Sequence, residues 1–222
     1  MEQIGGVECY VALPQGDYPK DKVVLFLTDV FGIPLINNRL LVDDFARNGF
    51  KTVMPDILNG DPVINFGDPS FDRQKWSSAH GPDSWKPVVD KVVEALKAEG
   101  VTRFGTTGYC FGAPPAFYLA FKNESHVTVL SHPSRLAIPD DLEKYKSVSK
   151  APLLINSCET DSQFPPELQA IADETLGGGK FAPGYERTYW DGCTHGFASD
   201  PKVKAGKEGS FKASVKFFKK YL

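Results

Sequence analysis

Gly108-Tyr109-Cys110-Phe111-Gly112 is the stretch of this 222-residue chain that decides its fold. It fits the pattern G-x-nucleophile-x-G, in which a strand turns sharply into a helix and the flanking glycines leave room for their close crossing. Residues 103–107 predict the short buried strand that enters the turn, and residues 113–121 predict the helix that leaves it. In this setting Cys110 is predicted to be a nucleophile rather than a small core residue.

Two partners for such a nucleophile follow it along the chain. Asp161 comes just after the apolar segment 152–157, and His195 comes just after the segment 187–190. Nucleophile, acid and histidine is the chain order of the α/β-hydrolases, and an open parallel sheet carries its chemistry in the loops that follow its strands. We therefore predict Cys110 as nucleophile, His195 as its base and Asp161 as the residue that orients the histidine.

Strand and helix signals alternate along the whole chain. Residues 35–48 predict a helix that ends at Gly49, and Asp83-Ser84 offers the N-cap of a helix with a buried valine and leucine face at 89–96. The alternation predicts an α/β-hydrolase fold, with a mainly parallel central sheet, helices on both faces and no large cap domain. We expect residues 1–222 to form one domain. Other predicted strands cover residues 7–13, 23–28 and 50–54.

Short segments spread over nearly the whole chain match one known family. They are residues 4–11, 28–32, 53–61, 108–112 and 131–134, together with Asp161 and residues 195–197. On these segments the chain resembles the dienelactone hydrolase family, and its fungal-type branch in particular. The resemblance implies a cysteine hydrolase that acts on a small-molecule ester or lactone, with Cys110, Asp161 and His195 as its triad.

Acyl transfer also needs two backbone N–H groups that stabilise the negative carbonyl oxygen. One is expected from Phe111, the residue after the nucleophile, and the resemblance points to Val30 for the other. In the bacterial relatives the slot of Asp29 carries a glutamate that contacts the resting cysteine. Because aspartate is shorter, two roles stay open for Asp29: modulation of the nucleophile, or fixing of the loop that carries Val30.

The segment 60–82 interrupts the alternation with a polar stretch rich in glycine and proline. Connections of this length often shape a substrate pocket, although aromatic side chains also anchor plain surface loops. The segment offers Arg73 and Trp76 as candidates for the substrate pocket, with Phe66, Phe71 and His80 beside them. Two further candidates lie outside it: Tyr109 in the elbow, and His132 after the strand that follows the nucleophile helix.

The bacterial relatives that the chain resembles hold the carboxylate of their substrate with arginines, one of them four residues beyond the catalytic histidine. Here that position is Ser199, and the next residue is Asp200. Arg73 or Arg135 could compensate by reaching the pocket, but neither occupies a position that matches the family motif. We therefore expect neutral or aromatic esters and lactones to be hydrolysed better than a carboxylate-bearing dienelactone.

Composition narrows the possible partners, cofactors and cellular location of the protein. A net charge of −3 argues against nucleic acid and anionic membranes as partners. The first residues show no secretory leader, so a cytoplasmic protein is expected, as a monomer or weak dimer. Four unevenly spaced cysteines predict neither a disulfide framework nor a metal site, and no motif implies a cofactor. Cys158 and Cys193 lie close in sequence to triad residues, so a structural and a redox role both stay open.

Rival functions remain on the same fold. A class I glutamine amidotransferase also has a cysteine elbow but needs a late His-x-Glu, and none of the four histidines is followed by glutamate two residues later. A thioesterase or a general short-chain carboxylesterase stays open, as does a non-catalytic thiol-reactive sensor.

Overall fold

A computed structural model describes residues 1–200 and 202–222, in which eight strands form one sheet. The six strands β3 to β8 are mutually parallel, and the first two pair antiparallel at one edge. The strand order is β1-β2-β4-β3-β5-β6-β7-β8. The strands are β1 (Glu2–Ile4), β2 (Val7–Ala12), β3 (Lys22–Leu27), β4 (Thr52–Pro55), β5 (Arg103–Tyr109), β6 (Val127–Ser131), β7 (Leu153–Thr160) and β8 (Tyr185–Thr194).

Helices cover both faces of this sheet, which makes two hydrophobic cores. In β3, Val23 and Leu25 pack into one core and Val24 and Phe26 into the other, because successive side chains of a strand point to opposite faces. The helices are α1 (Ile36–Arg47), α2 (Arg73–Ala79), α3 (Pro82–Ala98), α4 (Ala113–Phe121), α5 (Asp140–Val148), α6 (Pro166–Leu176) and α7 (Lys204–Tyr221). Helices α1 and α7 cover one face, and α3 to α6 pack against the other core.

The predicted α/β-hydrolase fold is confirmed, and the differences are local. Gly49 follows α1 at a φ of +98°, as its C-terminal position predicts. The predicted N-cap at Asp83-Ser84 is wrong, since Gly81 caps α3 and Pro82 takes the first helical position, where its missing N–H costs nothing. The polar segment 60–82 contains α2, whose N-cap Asp72 accepts a hydrogen bond of 2.9 Å from the backbone of Lys75.

Within residues 1–200 and 202–222 there is no large cap domain over the sheet. The same residues hold no helix of the length and apolarity that a bilayer crossing requires.

Candidate active site

The turn between β5 and α4 has the geometry of a nucleophile elbow. Cys110 has a φ of +48°, in the left-handed region that costs an ordinary residue roughly 1–2 kcal/mol. A Cβ on Gly108 would overlap the carbonyl group of Gly112, and a Cβ on Gly112 would overlap the carbonyl oxygen of Leu27. Only glycine therefore permits this crossing of strand and helix at both positions.

Three side chains form a hydrogen-bonded relay at this elbow. Nε2 of His195 lies 3.1 Å from Sγ of Cys110, and Nδ1 of the same ring donates to Oδ1 of Asp161 at 2.8 Å. Oδ1 of Asp161 also accepts from the backbone N–H groups of Gln163 at 2.8 Å and Phe164 at 3.1 Å. The carboxylate is thereby fixed in place before it orients the imidazole.

Neighbouring parallel strands bring these residues together. Cys110 follows β5, Asp161 follows β7 and His195 follows β8, so all three lie beyond the carboxyl edge of the sheet. The pairing of β7 with β8 is irregular between Cys158 and Thr160, and beyond it the backbone N–H of His195 bonds to the carbonyl of Thr160 at 3.0 Å. An irregularity of this kind changes the local direction of a strand, and here it lies directly before Asp161.

The relay is electrostatically polarised. Burial by itself lowers the pKa of His195, but hydrogen bonds with Asp161 and Cys110 outweigh burial and raise it to about 10. Burial by itself raises the pKa of Asp161, yet the imidazole and two backbone N–H groups hold it below its usual value. Asp161 and Cys110 thus favour the protonated ring, and a positive charge beside Sγ is suited to a thiolate.

Asp29 fixes the turn that follows β3. Its Oδ1 accepts from the backbone N–H of Phe31 at 3.0 Å and from the side-chain amide of Asn38 at 2.9 Å, and its Oδ2 lies 3.4 Å from the donating hydroxyl of Ser199. Burial raises the pKa of this carboxyl. These contacts favour the loop-fixing role that the sequence left open for Asp29.

A cavity of about 840 Å³ opens over the cysteine. Arg73, Trp76 and His132 are among its lining residues, together with Cys110, His195 and the predicted Phe66 and Phe71. The prediction that Tyr109 lines the pocket is wrong. Tyr109 is 1% exposed, lies outside the lining and stacks on Phe26. The strand directs its side chain into the hydrophobic core, because successive side chains of a strand point to opposite faces. His80 is likewise buried behind Trp76, against which its ring stacks at 4.1 Å.

Comparison with known proteins identifies the family of the chain. The sequence model described as the dienelactone hydrolase family matches residues 7–222. The chain belongs to the dienelactone hydrolase family. It is accordingly a carboxylic ester hydrolase, with an α/β-hydrolase fold.

Its curated relatives include fungal proteins of this family. The chain is 31% identical to the hydrolase pyvD of Aspergillus violaceofuscus, over 100% of this chain and 90% of that protein. It is 30% identical to dienlactone hydrolase 1 of Gibberella moniliformis, over 99% of this chain and 87% of that protein. A putative dienelactone hydrolase from Klebsiella pneumoniae shares the fold at a TM-score of 0.77, with 18% identity, 96% of this chain and 92% of that one covered.

In this dienelactone hydrolase family member, two arginines line the cavity. The guanidinium of Arg135 lies 5.0 Å from the ring centroid of Phe111 and donates to the carbonyl of His80 at 3.2 Å and to Ser77. Arg73 lines the same space. Because two arginines do line the pocket, the expected preference for neutral esters over carboxylate-bearing ones loses its basis. The sequence did not predict that Arg135 lines the cavity, because its backbone has a φ of +59°, which no side-chain pattern indicates.

His132 is more deeply placed than its sequence position suggests. Its ring packs edge-on against His195, Tyr109 and Phe197, with centroids 5.1, 5.8 and 5.6 Å away. Burial, followed by the charge of His195, lowers the pKa of His132 to about 3. His132 is therefore a neutral imidazole at physiological pH, and among the described residues neither of its ring nitrogens has a hydrogen-bond partner.

The neighbouring cysteines are buried thiols. Sγ of Cys158 lies 3.9 Å from Oδ2 of Asp161, and burial raises the pKa of Cys158 to about 12. Burial also raises the pKa of Cys193. Both thiols thus stay protonated at neutral pH, which disfavours the redox alternative because the thiolate is the reactive form.

Proposed function

We propose that the protein hydrolyses small esters or lactones through a covalent thioester on Cys110, with His195 and Asp161 completing the triad and residues 1–222 acting as one domain. The observation that carries the proposal is the continuous relay from Sγ to Nε2 at 3.1 Å and from Nδ1 to the carboxylate at 2.8 Å. A nucleophile within reach of a base that is itself held by an acid is the constellation that covalent acyl transfer requires.

In the first half-reaction, Sγ attacks the carbonyl carbon of the substrate and the carbonyl π electrons move to oxygen. The imidazolium of His195 carries the proton that the thiol has given up. As the tetrahedral intermediate collapses, the carbon–oxygen bond to the leaving group breaks and His195 gives that proton to the departing alkoxide. Asp161 keeps Nδ1 protonated, so that Nε2 is the nitrogen that exchanges protons with the reacting groups.

The backbone N–H groups of Val30 and Phe111 are proposed to stabilise the oxyanion. Val30 lies in the turn fixed by Asp29, and its carbonyl accepts from the N–H of Val63 at 2.8 Å, which sets the orientation of the local backbone. No acceptor for the N–H of Val30 is found in the described part of the chain. A donor without an internal partner is available to a substrate oxygen, and losing one costs about 2.7–4 kcal/mol of barrier.

In the second half-reaction, water replaces the alcohol. The neutral imidazole of His195 takes a proton from water as its oxygen attacks the thioester, and the carbon–sulfur bond then breaks. Sγ leaves with the electron pair, the carboxylic acid departs, and the proton stays on the imidazole. The nucleophile and its base are thereby restored without any external reductant or oxidant.

The cavity supports a cyclic or aromatic acyl group. Aromatic rings line the cavity over Cys110, and the guanidinium groups of Arg73 and Arg135 add positive charge to the lining. The aromatic lining is formed by Phe31, Phe66, Phe71, Trp76 and Phe111. A lactone or aryl ester fits this lining better than a long acyl thioester, since a volume of about 840 Å³ holds a compact small molecule.

The test compares cysteine variants on a chromogenic aryl ester. Cys110→Ala is expected to lower kcat by about 10⁴-fold or more, as removal of a triad nucleophile does. Cys9→Ala, which removes a buried thiol on β2, serves as the control with near-native kcat. Near-native turnover in Cys110→Ala would refute the triad. Rapid alkylation of Cys110 by iodoacetamide without any ester turnover would assign the protein to the thiol-reactive sensors instead.

A further inference from the structure

Three potential metal ligands, one thiol and two imidazoles, meet over the carboxyl edge of the sheet. Sγ of Cys110 and one ring nitrogen from each of His132 and His195 all lie within 4.8 Å of one another. Each residue directly follows the end of a parallel strand, β5, β6 or β8. Rigid strands therefore hold the cluster, which is the placement that keeps ligand geometry precise.

His132 has no function in the proposed hydrolysis. Its side chain is 0% exposed, and both ring nitrogens lack a hydrogen-bond partner within the ranges 1–200 and 202–222. Buried imidazoles almost always satisfy at least one nitrogen, so an orphaned pair calls for a ligand or a strained fold. One of these nitrogens lies near the sulfur of Cys110 and the ring of His195, so its lone pair is available to a cation bound between the three residues.

His195 already has the environment of a metal ligand. Its Nδ1 donates to the carboxylate of Asp161 at 2.8 Å, and its Nε2 points at Sγ of Cys110. Histidines that bind metal typically donate their second nitrogen to a carboxylate, which fixes the ring and strengthens the ligand. The same relay that activates the cysteine thus also prepares Nε2 for a cation.

We propose that Cys110, His132 and His195 form a binding site for Zn²⁺ and that the bound cation reversibly blocks the nucleophile. Zinc–sulfur bonds of about 2.3 Å and zinc–nitrogen bonds of about 2.0–2.1 Å place tetrahedral donors roughly 3.5 Å apart. Here Nε2 of His195 lies 3.1 Å from Sγ of Cys110, and all three donor atoms lie within 4.8 Å of one another. Thiolate and imidazole prefer Zn²⁺ over Mg²⁺ and Ca²⁺, which take oxygen ligands. The fourth position faces the cavity and takes water.

Binding exchanges a proton for a metal bond without any redox step. The sulfur–zinc bond forms with the electron pair of the thiolate, and the proton held between Cys110 and His195 passes to solvent. A chelator therefore reverses the block, whereas a reductant that does not itself bind metal does not. The loss of turnover rests on the proposed function of Cys110, but the binding itself does not.

Direct binding is measured first, on the purified full chain treated with chelator. One equivalent of Co²⁺ is expected to produce a sulfur-to-metal charge-transfer band and the visible bands of a four-coordinate ion, and Zn²⁺ is expected to abolish both. Calorimetric titration then gives the Kd for Zn²⁺. Absence of one-to-one binding, or a Co²⁺ spectrum without the sulfur band, overturns the proposal whether or not the protein hydrolyses esters.

The variants separate the three ligands from the rest of the chain. His132→Asn suits the φ of +39° at this position, and His132→Phe keeps the aromatic packing, so a failure of one variant to fold leaves the other to decide. Both are expected to raise the Kd for Zn²⁺ by about 100-fold or more. Loss of a residue that only hydrogen-bonds to a metal ligand already weakens metal binding by about 10–100-fold, and loss of the ligand itself should cost at least as much. Asp161→Asn, which removes such an outer partner, is expected to raise it by about 10–100-fold.

Two controls remove side chains outside the cluster. His126→Asn takes away a half-buried histidine that precedes β6, and Cys158→Ala takes away the other sulfur near Asp161. Both should bind Zn²⁺ with native Kd. Native Kd in either His132 variant, or a large rise in the Kd of Cys158→Ala, overturns the three-ligand site. Ester turnover that is unchanged or higher at saturating Zn²⁺ overturns the block.

Discussion

Asn38 donates a hydrogen bond of 2.9 Å from its side-chain amide to the carboxylate of Asp29 and a second, also of 2.9 Å, to the carbonyl of Gly32. The two bonds tie the start of α1 to the turn that carries Val30. Asn38 is fully buried, so no water substitutes for its amide. The position of the proposed oxyanion donor therefore depends on a residue that does not touch the substrate.

Asn38→Ala is expected to lower kcat more than it raises KM, because it loosens an interaction made mainly in the transition state. Loss of hydrogen bonds to the buried Asp29 should also lower the free energy of unfolding by about 2–3 kcal/mol. Steady-state kinetics and urea unfolding measure the two effects. Asn37→Ala, at a half-buried neighbouring site, is the control for stability. Unchanged kcat in Asn38→Ala would show that the turn held by Asn38 does not contribute to catalysis.

Asp161→Asn tests the polarised relay through its pH dependence. The pKa of His195 is raised to about 10, so its positive charge is present at neutral pH and is lost as pH rises through that value. The Asp161 carboxylate contributes to this rise, so the alkaline limb of kcat/KM should move to lower pH in the variant. The kcat should fall by about 10²–10⁴-fold. An alkaline limb at the same pH in both proteins would contradict the relay.

Arg73→Gln tests which charge the cavity accepts. With Arg73 and Arg135 both in the lining, an ester that carries a carboxylate gains a charged hydrogen bond of about 1.5–3 kcal/mol. The kcat/KM ratio of a carboxylated aryl ester to its neutral analogue, measured at low salt, should fall by about 10-fold in the variant. Arg47→Gln removes an exposed arginine at the end of α1 and should leave the ratio unchanged. A strong neutral preference in the unmodified protein would restore the expectation drawn from Ser199.

Gly112→Ala tests the packing of the elbow. Its Cβ would overlap the carbonyl of Leu27 on β3, and backbone cannot move aside as a flexible side chain can. The free energy of unfolding should therefore fall by about 2–3 kcal/mol, as in other overpacked sites. Gly67→Ala places the same methyl group against only the side chain of Asn65 and should change stability by less than about 0.5 kcal/mol. Equal losses in the two variants would show that the close crossing is not what requires glycine.

The central part of the fold follows from sequence because each signal there is local and strong. The short strand before Cys110, the glycines around it and the helix after it all predict one turn, and the structure has it. Asp161 and His195 could be placed near Cys110 because parallel strands end at one edge of the sheet.

The missed elements lack such signals. Strand β1 has three residues, α2 lies within a polar segment, and α5 buries only Leu142 and Tyr145, so none shows a sustained apolar period. The positions of Arg135 and His132 depend on positive φ values after β6, which no side-chain pattern reveals at residues other than glycine. The link from Asn38 to Asp29 is tertiary and has no sequence signature.

The most direct test of the account is an intact-mass spectrum recorded within milliseconds to seconds of mixing the protein with an activated aryl ester. We predict a mass increase of one acyl group, located on Cys110 by peptide mapping and absent in Cys110→Ala. The adduct should persist in His195→Gln, if it forms there, because the base that activates water is gone. Steady ester turnover with no adduct on Cys110, or an adduct on Cys158 or Cys193 instead, would contradict the proposed mechanism.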